Sequence, residues 1–353
     1  MFYPEVAIVI LNWNGLENTE ECLDSLKKII YPNFKIILMD NGSENNEGEI
    51  LKKEYGGFIT LIQNKKNLGF AQGNNIGIEK TLEDPEIKYV FLLNNDTIVE
   101  PNFMEEVVKK FADSTVGMIA PKTINYYKRN EIDNLGIQFT KSGLSFNIKN
   151  NLTMRPRKVA LGDHGAQQFN NETILFCPCG AAAFYSHELL KRLKKQDGYY
   201  FDPDFFAYAE DLDLGFRARL QGFKCVLEHN SIIYHKGSAS TKTMGNLAIY
   251  HTYRNIIWVL LKNLPTPLFL RYLPKIIIGQ LAIILLWILR GKPLLILRAY
   301  FHAFLGLPKM LRKRKIIQKN KKISNRDLDK LYTPEIFVKN YLPTQIFRLK
   351  LKK

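Results

Sequence analysis

The sequence predicts an α/β protein: a mostly parallel sheet with helices on both faces, followed by apolar helices towards the C-terminus. Three observations predict it. Short apolar runs alternate with amphipathic segments over the first 120 residues, polar residues recur where the apolar runs stop, and the chain changes character after about residue 240.

Taken in order, "VAIVILN" is apolar throughout and has the length of a strand buried on both faces. A helical pattern over 16–30 follows, then "FKIILMD", a helix after Ser43, and "FITLIQN". A helix through "AQGNNIGIEKTLE", the strand "YVFLLNND", the helix "FMEEVVKKFAD" and the strand "GMIAPKTI" complete the series. Strands separated by helices pair in parallel, and such sheets bind ligands outside the carboxyl ends of their strands. Asn12 and Asn14, Asp40, Asn64 and Asn67, and Asp96 all fall there, so four strand ends share one polar rim. Residues 125–172 are polar and weakly periodic, as loops and short strands over the sheet would be. Order returns with "TILFCPCGAAAFYS", the helix "HELLKRL", the acidic segment "FFAYAEDLDLGFRARLQG" and the strand "KCVLEHNSIIYH".

A content of 46% hydrophobic and 24% charged residues is that of a globular chain able to bury an active site. Cys22, Cys177, Cys179 and Cys225 lack paired Cys-x-x-Cys spacing, so neither a zinc site nor a disulfide framework is expected, which suits a reducing cytoplasm. The N-terminus has no basic segment and no cleavage signal, so export is not expected. The net charge of +16 is uneven: residues 290–353 carry 18 Lys or Arg against three acids.

The acidic segment sets Glu210, Asp211 and Asp213 behind an aromatic run. Acids in a helix's first turn gain ~0.3–1 kcal/mol each from the macrodipole, which accounts for one or two of them. Alternatively, one is a base or metal ligand beside a cleft. Asp40 opens "DNGSEN" and either satisfies loop amides or accepts from a nucleobase or ribose. Gly69, Gly73 and Gly77 recur every four residues, where backbone can approach a ligand or a sheet closely; the pattern is not G-x-G-x-x-G. Asp96 follows Asn94 and Asn95 at a strand tip, and a cation on a diphosphate needs only one or two protein carboxylates. A lone strand-end histidine is usually structural, but His235, taken with Asp96 and the acids at 210–213, fits a metal and catalytic set.

As an ordered set these motifs resemble the family-2 glycosyltransferases of the GT-A fold, close to the rhamnosyltransferase-like members, over residues 5–260. The resemblance implies that "VILNWNG", with Asn12 and Asn14, begins the nucleotide site and that Asp40 contacts the base. Asn67, Gly69 and Asn75 fall on its donor-binding segment, and "NND" on its metal-binding Asp-x-Asp element, with Asn94 where a strict motif has an acid. It places the catalytic base on Asp211, in a pair with Glu210, with Arg217 on the helix, and ligation of Mg2+ or Mn2+ on Asp96 and His235; Gly180, Tyr208 and Arg217 are acceptor-side candidates. Asp213 is expected to serve the helix terminus. The implied activity is inverting transfer from a nucleotide-diphosphate sugar, dTDP-L-rhamnose ahead of UDP-hexoses, to a lipid-linked or growing glycan acceptor.

The expected division is a catalytic domain over 1–240, with a nucleotide-binding half 1–124 and an acceptor half 125–240. A connecting helix over 241–265, membrane-associated helices over 266–310 and a basic tail over 311–353 follow. The charge-free stretch 276–289 has 14 residues, about 21 Å as helix, short of a ~30 Å hydrocarbon core. With eight basic residues and no acid over 309–322, this favours an in-plane anchor on an anionic cytoplasmic leaflet, a transmembrane hairpin being the alternative. Residues after Leu264 are expected to be dispensable for donor binding. Two other readings compete: an inactive sugar-nucleotide-binding membrane scaffold, and a nucleic-acid binder using the tail. The first conflicts with intact Asp96, Asp211 and His235, and the second with the near-neutral first 289 residues, so no nucleic acid is expected.

Overall fold

A computed structural model describes residues 3–148, 167–169, 172–237 and 245–334. Its centre is a mixed 11-stranded sheet. β1 (Glu5–Asn12), β2 (Phe34–Asp40), β3 (Thr60–Gln63) and β4 (Ile87–Asn94) lie in the order β3-β2-β1-β4, every pair parallel. Helices α1 (Leu16–Leu26), α2 (Glu47–Tyr55) and α3 (Gly69–Leu82) make the crossovers. The all-apolar sequence of β1 is explained by burial on both sides: Val6, Ile8 and Ile10 pack with Cys22, Leu23, Leu26 and Leu51, while Ala7 and Val9 pack with Ala71 and Ile78. The glycines of α3 serve that packing, since a Cβ on Gly73 would stand 2.7 Å from Leu11 and one on Gly77 2.5 Å from Val9. The strand order turns at β1, which opens a crevice at the carboxyl ends of β1 and β4.

Beyond β4 the sheet is mixed. β5 (Thr97–Val99), α4 (Glu105–Lys110) and β6 (Val116–Asn125) are followed by the short strands β7 (Ile132–Asn134), β8 (Ile137–Phe139), β9 (Ser145–Asn147), β10 (Gln167–Phe169) and β11 (Glu172–Ile174). β12 (Ala182–Ser186) inserts antiparallel between β4 and β6, and α5 (His187–Asp197), α6 (Glu210–Leu220) and β13 (Lys224–His235) follow. Because β12 runs against β4, its entry loop lies at the carboxyl end of β4, and Asn94 N–H donates to Ala181 O at 2.9 Å. Residues 177–181 thereby join the rim.

The C-terminal helices are α7 (Gly245–Asn263), α8 (Thr266–Leu289), α9 (Pro293–Leu305), α10 (Leu307–Lys319) and α11 (Asn325–Asp329). The expected basic tail is corrected over its first half. Lys322 N–H donates to Leu220 O, Thr333 N–H donates to Phe139 O, and Tyr332 is buried against Phe139, Phe176 and Phe216. Basic side chains are drawn in as well: Lys309 and Lys313 pair with Asp204, and Arg314 donates to the carbonyls of Leu261 and Leu264. Residues 335–353 lie outside the described residues. α8 has 24 residues, longer than the charge-free stretch suggested, because the helix continues through Pro274 to Thr266. Among the described residues it is the one unbroken helix long and apolar enough to cross a membrane, while α9 and α10 meet that test only together, as a pair bent by 56°. One face of α8 is buried on the protein through Leu268, Tyr272, Ile276 and Ile283, while Ile277, Ile278, Leu281, Leu285 and Leu289 are exposed.

Candidate active site

The β1–β2 end of the rim is a closed polar cluster. Asn12, fully buried, donates from Nδ2 to Asp40, Ser43 and Glu47 at 3.2, 3.1 and 2.9 Å and accepts from Thr19 Oγ1. Asn14 takes a positive φ of 48°, its N–H donates to Ser43 Oγ, and its side chain accepts from Glu44 N–H. Asp40 is nearly buried beneath this turn. Asn41, which sequence reasoning passed over, organises the loop between β3 and α3: its Nδ2 donates to Asn67 Oδ1 and Gly69 O, and its Oδ1 accepts from Asn64 Nδ2 and Leu68 N–H. Its place directly behind Asp40 in "DNGSEN" was the available signal.

The strand ends of β4 and β13 bring Asp96 and His235 together, Oδ1 to Nε2 at 3.3 Å, with no hydrogen bond to that oxygen. His235 Nδ1 lies 2.8 Å from Asp133 Oδ2, a partner the sequence did not disclose because it arrives from β7. Burial disfavours the imidazolium, yet Asp133 and Asp96 outweigh it and raise His235 to about 9. A carboxylate holding one imidazole nitrogen while the other faces a second carboxylate is a usual framework for a cation-binding histidine. Asp96 and His235 could therefore supply two ligands to a divalent ion, which would need its remaining ligands from outside the protein. No group of three or more His, Cys, Asp or Glu able to hold a metal by itself occurs among the described residues.

The acidic motif sits where three elements meet. Asp211, at the start of α6, accepts from Gly180 N–H through Oδ2 at 2.9 Å and from Leu212 N–H through Oδ1 at 2.7 Å. Gly180 adjoins Ala181, which holds Asn94, so the acid and the "NND" tip are linked through two consecutive residues. Phe70, at the start of α3, lies 3.4 Å from the position of a Gly180 Cβ. Burial pushes the Asp211 carboxyl up, opposed by the Gly180 and Leu212 N–H groups. Glu210 is buried, its Oε2 has no hydrogen-bond partner, and burial together with Asp211 pushes it well up. Tyr208, half-buried in the strained turn before α6, has a positive φ of 70°.

Two expectations are corrected here. Asn75 does not face the cleft: its amide bonds the backbone of Phe201 in both directions at 2.8 Å and ties α3 to the loop. Arg217 is not on the acceptor side either, being buried, ion-paired with Asp213 at 2.9 Å and Asp197 at 3.2 Å, and bonded to Tyr200 O. Asp213 lies in the first turn of α6, as expected, and is in addition a buried partner of Arg217, Lys262 and Asn263. The Asn12 side chain is spent on internal bonds at the carboxyl end of β1.

The fold and this rim define an α/β protein of the GT-A class. Among solved structures the chain is similar to GalNAc-T7 with UDP, GalNAc and Mn2+: TM-score 0.56, 17% identity, over 78% of this chain and 50% of that one. It is also similar to a mannosyltransferase from Pyrobaculum calidifontis in complex with GDP-Man and Mn2+: TM-score 0.52, 15% identity, over 93% and 79%. The model of glycosyl transferase family 2 matches residues 7–194, more than half of the chain, and the protein belongs to that family. Among curated relatives it is 29% identical to the glycosyltransferase GlyG of Streptococcus pneumoniae over 134 residues, 36% of this chain and 41% of the relative. It is 31% identical to a hyaluronan synthase of Streptococcus pyogenes over 32% of this chain and 28% of that one, so less than half of either relative is spanned.

Proposed function

We propose that the protein is an inverting glycosyltransferase that moves a sugar from a nucleotide-diphosphate sugar to a hydroxyl of a lipid-linked or growing glycan. The observation that carries this reading is the placement of Asp211, pinned by Gly180 one residue from the β4 tip that bears Asp96. Direct displacement needs a base within reach of the acceptor hydroxyl and opposite the leaving diphosphate. Asp211 takes the acceptor proton, and the two N–H groups hold its carboxylate in orientation. Glu210, buried beside it, orients the acceptor hydroxyl. Asp96 and His235 hold the diphosphate end, where Mg2+ or Mn2+, when bound, neutralises the charge of the leaving group. The family assignment and the Mn2+ in both related structures support this reading. The motif resemblance puts dTDP-L-rhamnose ahead of UDP-hexoses as donor.

The site of action in this proposal is the cytoplasmic face of the membrane, with α8 and α9 lying in the plane of the surface. Leu270, Leu281, Leu285, Leu294, Leu297, Phe301 and Phe304 on α8 and α9 are all exposed, more large apolar surface than soluble monomers usually present. Exposed Arg312, Lys315 and Lys319 supply cations for anionic headgroups.

Asp211→Asn tests the catalytic assignment. The amide keeps the shape but cannot take a proton, so turnover falls about 10²–10⁴-fold while donor affinity is kept. Near-normal turnover, or a product that retains the donor's anomeric configuration, removes Asp211 from this role.

A further inference from the structure

The turn that delivers Asp211 is strained and is held by the C-terminal helices. Phe206, Tyr208 and Ala209 all take positive φ, at 65°, 70° and 63°. Such backbone persists in non-glycine residues only where the surroundings over-determine it. The restraint comes from α7. Asn255, fully buried, places Nδ2 3.0, 2.9 and 2.6 Å from the carbonyl oxygens of Phe205, Ala207 and Tyr208. Its neighbour Arg254 donates to the carbonyls of Asp204 and Phe205 at 3.1 and 3.0 Å.

Two turns further along α7, Lys262 lies 2.6 Å from Asp202 and 2.8 Å from Asp213, and Asn263 donates to Asp213 at 2.7 Å. From α10, Lys313 reaches Asp202 at 2.5 Å and Asp204 at 2.7 Å. The C-terminal helices thus grip the chain on both sides of Asp211, at 202–208 and at 213. Towards the cleft the same loop makes two outward contacts: Phe206 O accepts from Ala71 N–H at 3.0 Å, and Asp211 accepts from Gly180 N–H at 2.9 Å.

We infer that Asn255 is a positioning residue: acting with Lys262 and Lys313, it fixes the strained turn so that Asp211 meets Gly180 and Phe206 meets the start of α3. The inference rests on the role proposed for Asp211. It makes the C-terminal helices part of the frame of the active site, including Lys313, which lies beyond Leu264.

Amide hydrogen exchange on the full-length chain tests it, because the amides of Ala71 and Gly180 lie outside the loop yet report its position. Asn255→Ala removes a buried donor shared by three carbonyls, so exchange at both amides rises about tenfold, with peptides from β1 and β2 unchanged. With UDP-glucose and dTDP-L-rhamnose as donors in Mn2+, kcat falls about tenfold and donor KM stays within about twofold. Asn255→Gln, which keeps an amide donor, recovers part of both losses. Unchanged exchange at Ala71 and Gly180, or a rise equal to that in β1 and β2, overturns the clamp. A loosened loop with unaltered kcat overturns the positioning role. Where Asn255→Ala does not fold, Lys313→Ala, made at a part-exposed side chain, is read at the same two amides with the same criteria. The exchange arm requires no donor, so failure of the clamp and failure of the glycosyl-transfer reading give different results.

Discussion

Replacing Lys262 by methionine is expected to destabilise the protein by about 3 kcal/mol at pH 7.5 and by clearly less near pH 4. Lys262, Asp202 and Asp213 have no exposed side-chain surface, and the ammonium stands 2.6 and 2.8 Å from the two carboxylates. Removing one member of a buried pair costs ~3–5 kcal/mol because the other charge is left in low dielectric. The lower end applies here. Asp202 keeps Lys313 at 2.5 Å, and Asp213 keeps Arg217 at 2.9 Å and Asn263 at 2.7 Å. Methionine refills the apolar stem, so little cavity is added. A loss of ~3 kcal/mol is about a hundredfold in the folding equilibrium.

The pH dependence has a definite sign. Burial would raise Asp202, but Lys262 and Lys313 outweigh it and hold its carboxyl well below the usual range. Its stabilisation is therefore complete above the unfolded value of ~3.9 and is lost as pH falls through the folded value. Without Lys262, burial pulls Asp202 upward. Protonation then relieves the variant as pH falls, and the gap to the parent narrows between pH 7.5 and about 4. Urea denaturation in mild detergent, followed by Trp258 fluorescence in a background with Trp13 and Trp287 replaced by Phe, measures this. Trp258 packs edge-to-face on Phe205 at 5.9 Å and donates to Ala303 O, so it reports the joint between α7, α9 and the acidic loop. A loss below ~1 kcal/mol at pH 7.5, or an equal gap at both pH values, would refute the reasoning.

Asp96→Ala is expected to abolish the Mn2+ dependence of UDP or dTDP binding, and calorimetry showing the same metal-enhanced affinity would remove Asp96 from the diphosphate end. Gly69→Ala is expected to cost about 1–2 kcal/mol, because Gly69 has φ of 80° and an added Cβ would stand 2.5 Å from Phe206 O; a denaturation midpoint equal to that of the parent contradicts this. Attachment to anionic vesicles is expected to weaken with salt and on neutralising Arg312, Lys315 and Lys319 together, each worth ~1 kcal/mol near the surface. Flotation that is unchanged by either treatment counts against the electrostatic part of the attachment.

Much of the first half was legible because its signals are local. The uninterrupted apolar run of β1 specifies burial on both faces, and the polar residues that stop each run mark strand ends, which the parallel order then gathers on one rim. The glycine repeat of α3 was legible as close approach, though only packing shows that the approach is to Leu11 and Val9. Asp133 was invisible, since a single acid in a weakly periodic segment says nothing until β7 pairs with β6 beside His235. Lys262 was hidden for a related reason: an isolated lysine in an apolar helix is buried only if acids from elsewhere receive it.

Asp211 and Asp213 show where the division falls. The sequence alone placed both in the first turn of a helix next to an aromatic run, and so determined that negative charge would gather at that helix start. Two positions along a helix are about 200° apart, so the two carboxylates face opposite ways. Which face meets the Gly180 amide and which meets Arg217, Lys262 and Asn263 depends on β12 and α7, which are distant in the chain. A carboxylate held only by N–H groups still has lone pairs that can take a proton, whereas one neutralised by two buried cations does not. Only the tertiary structure distributes those partners.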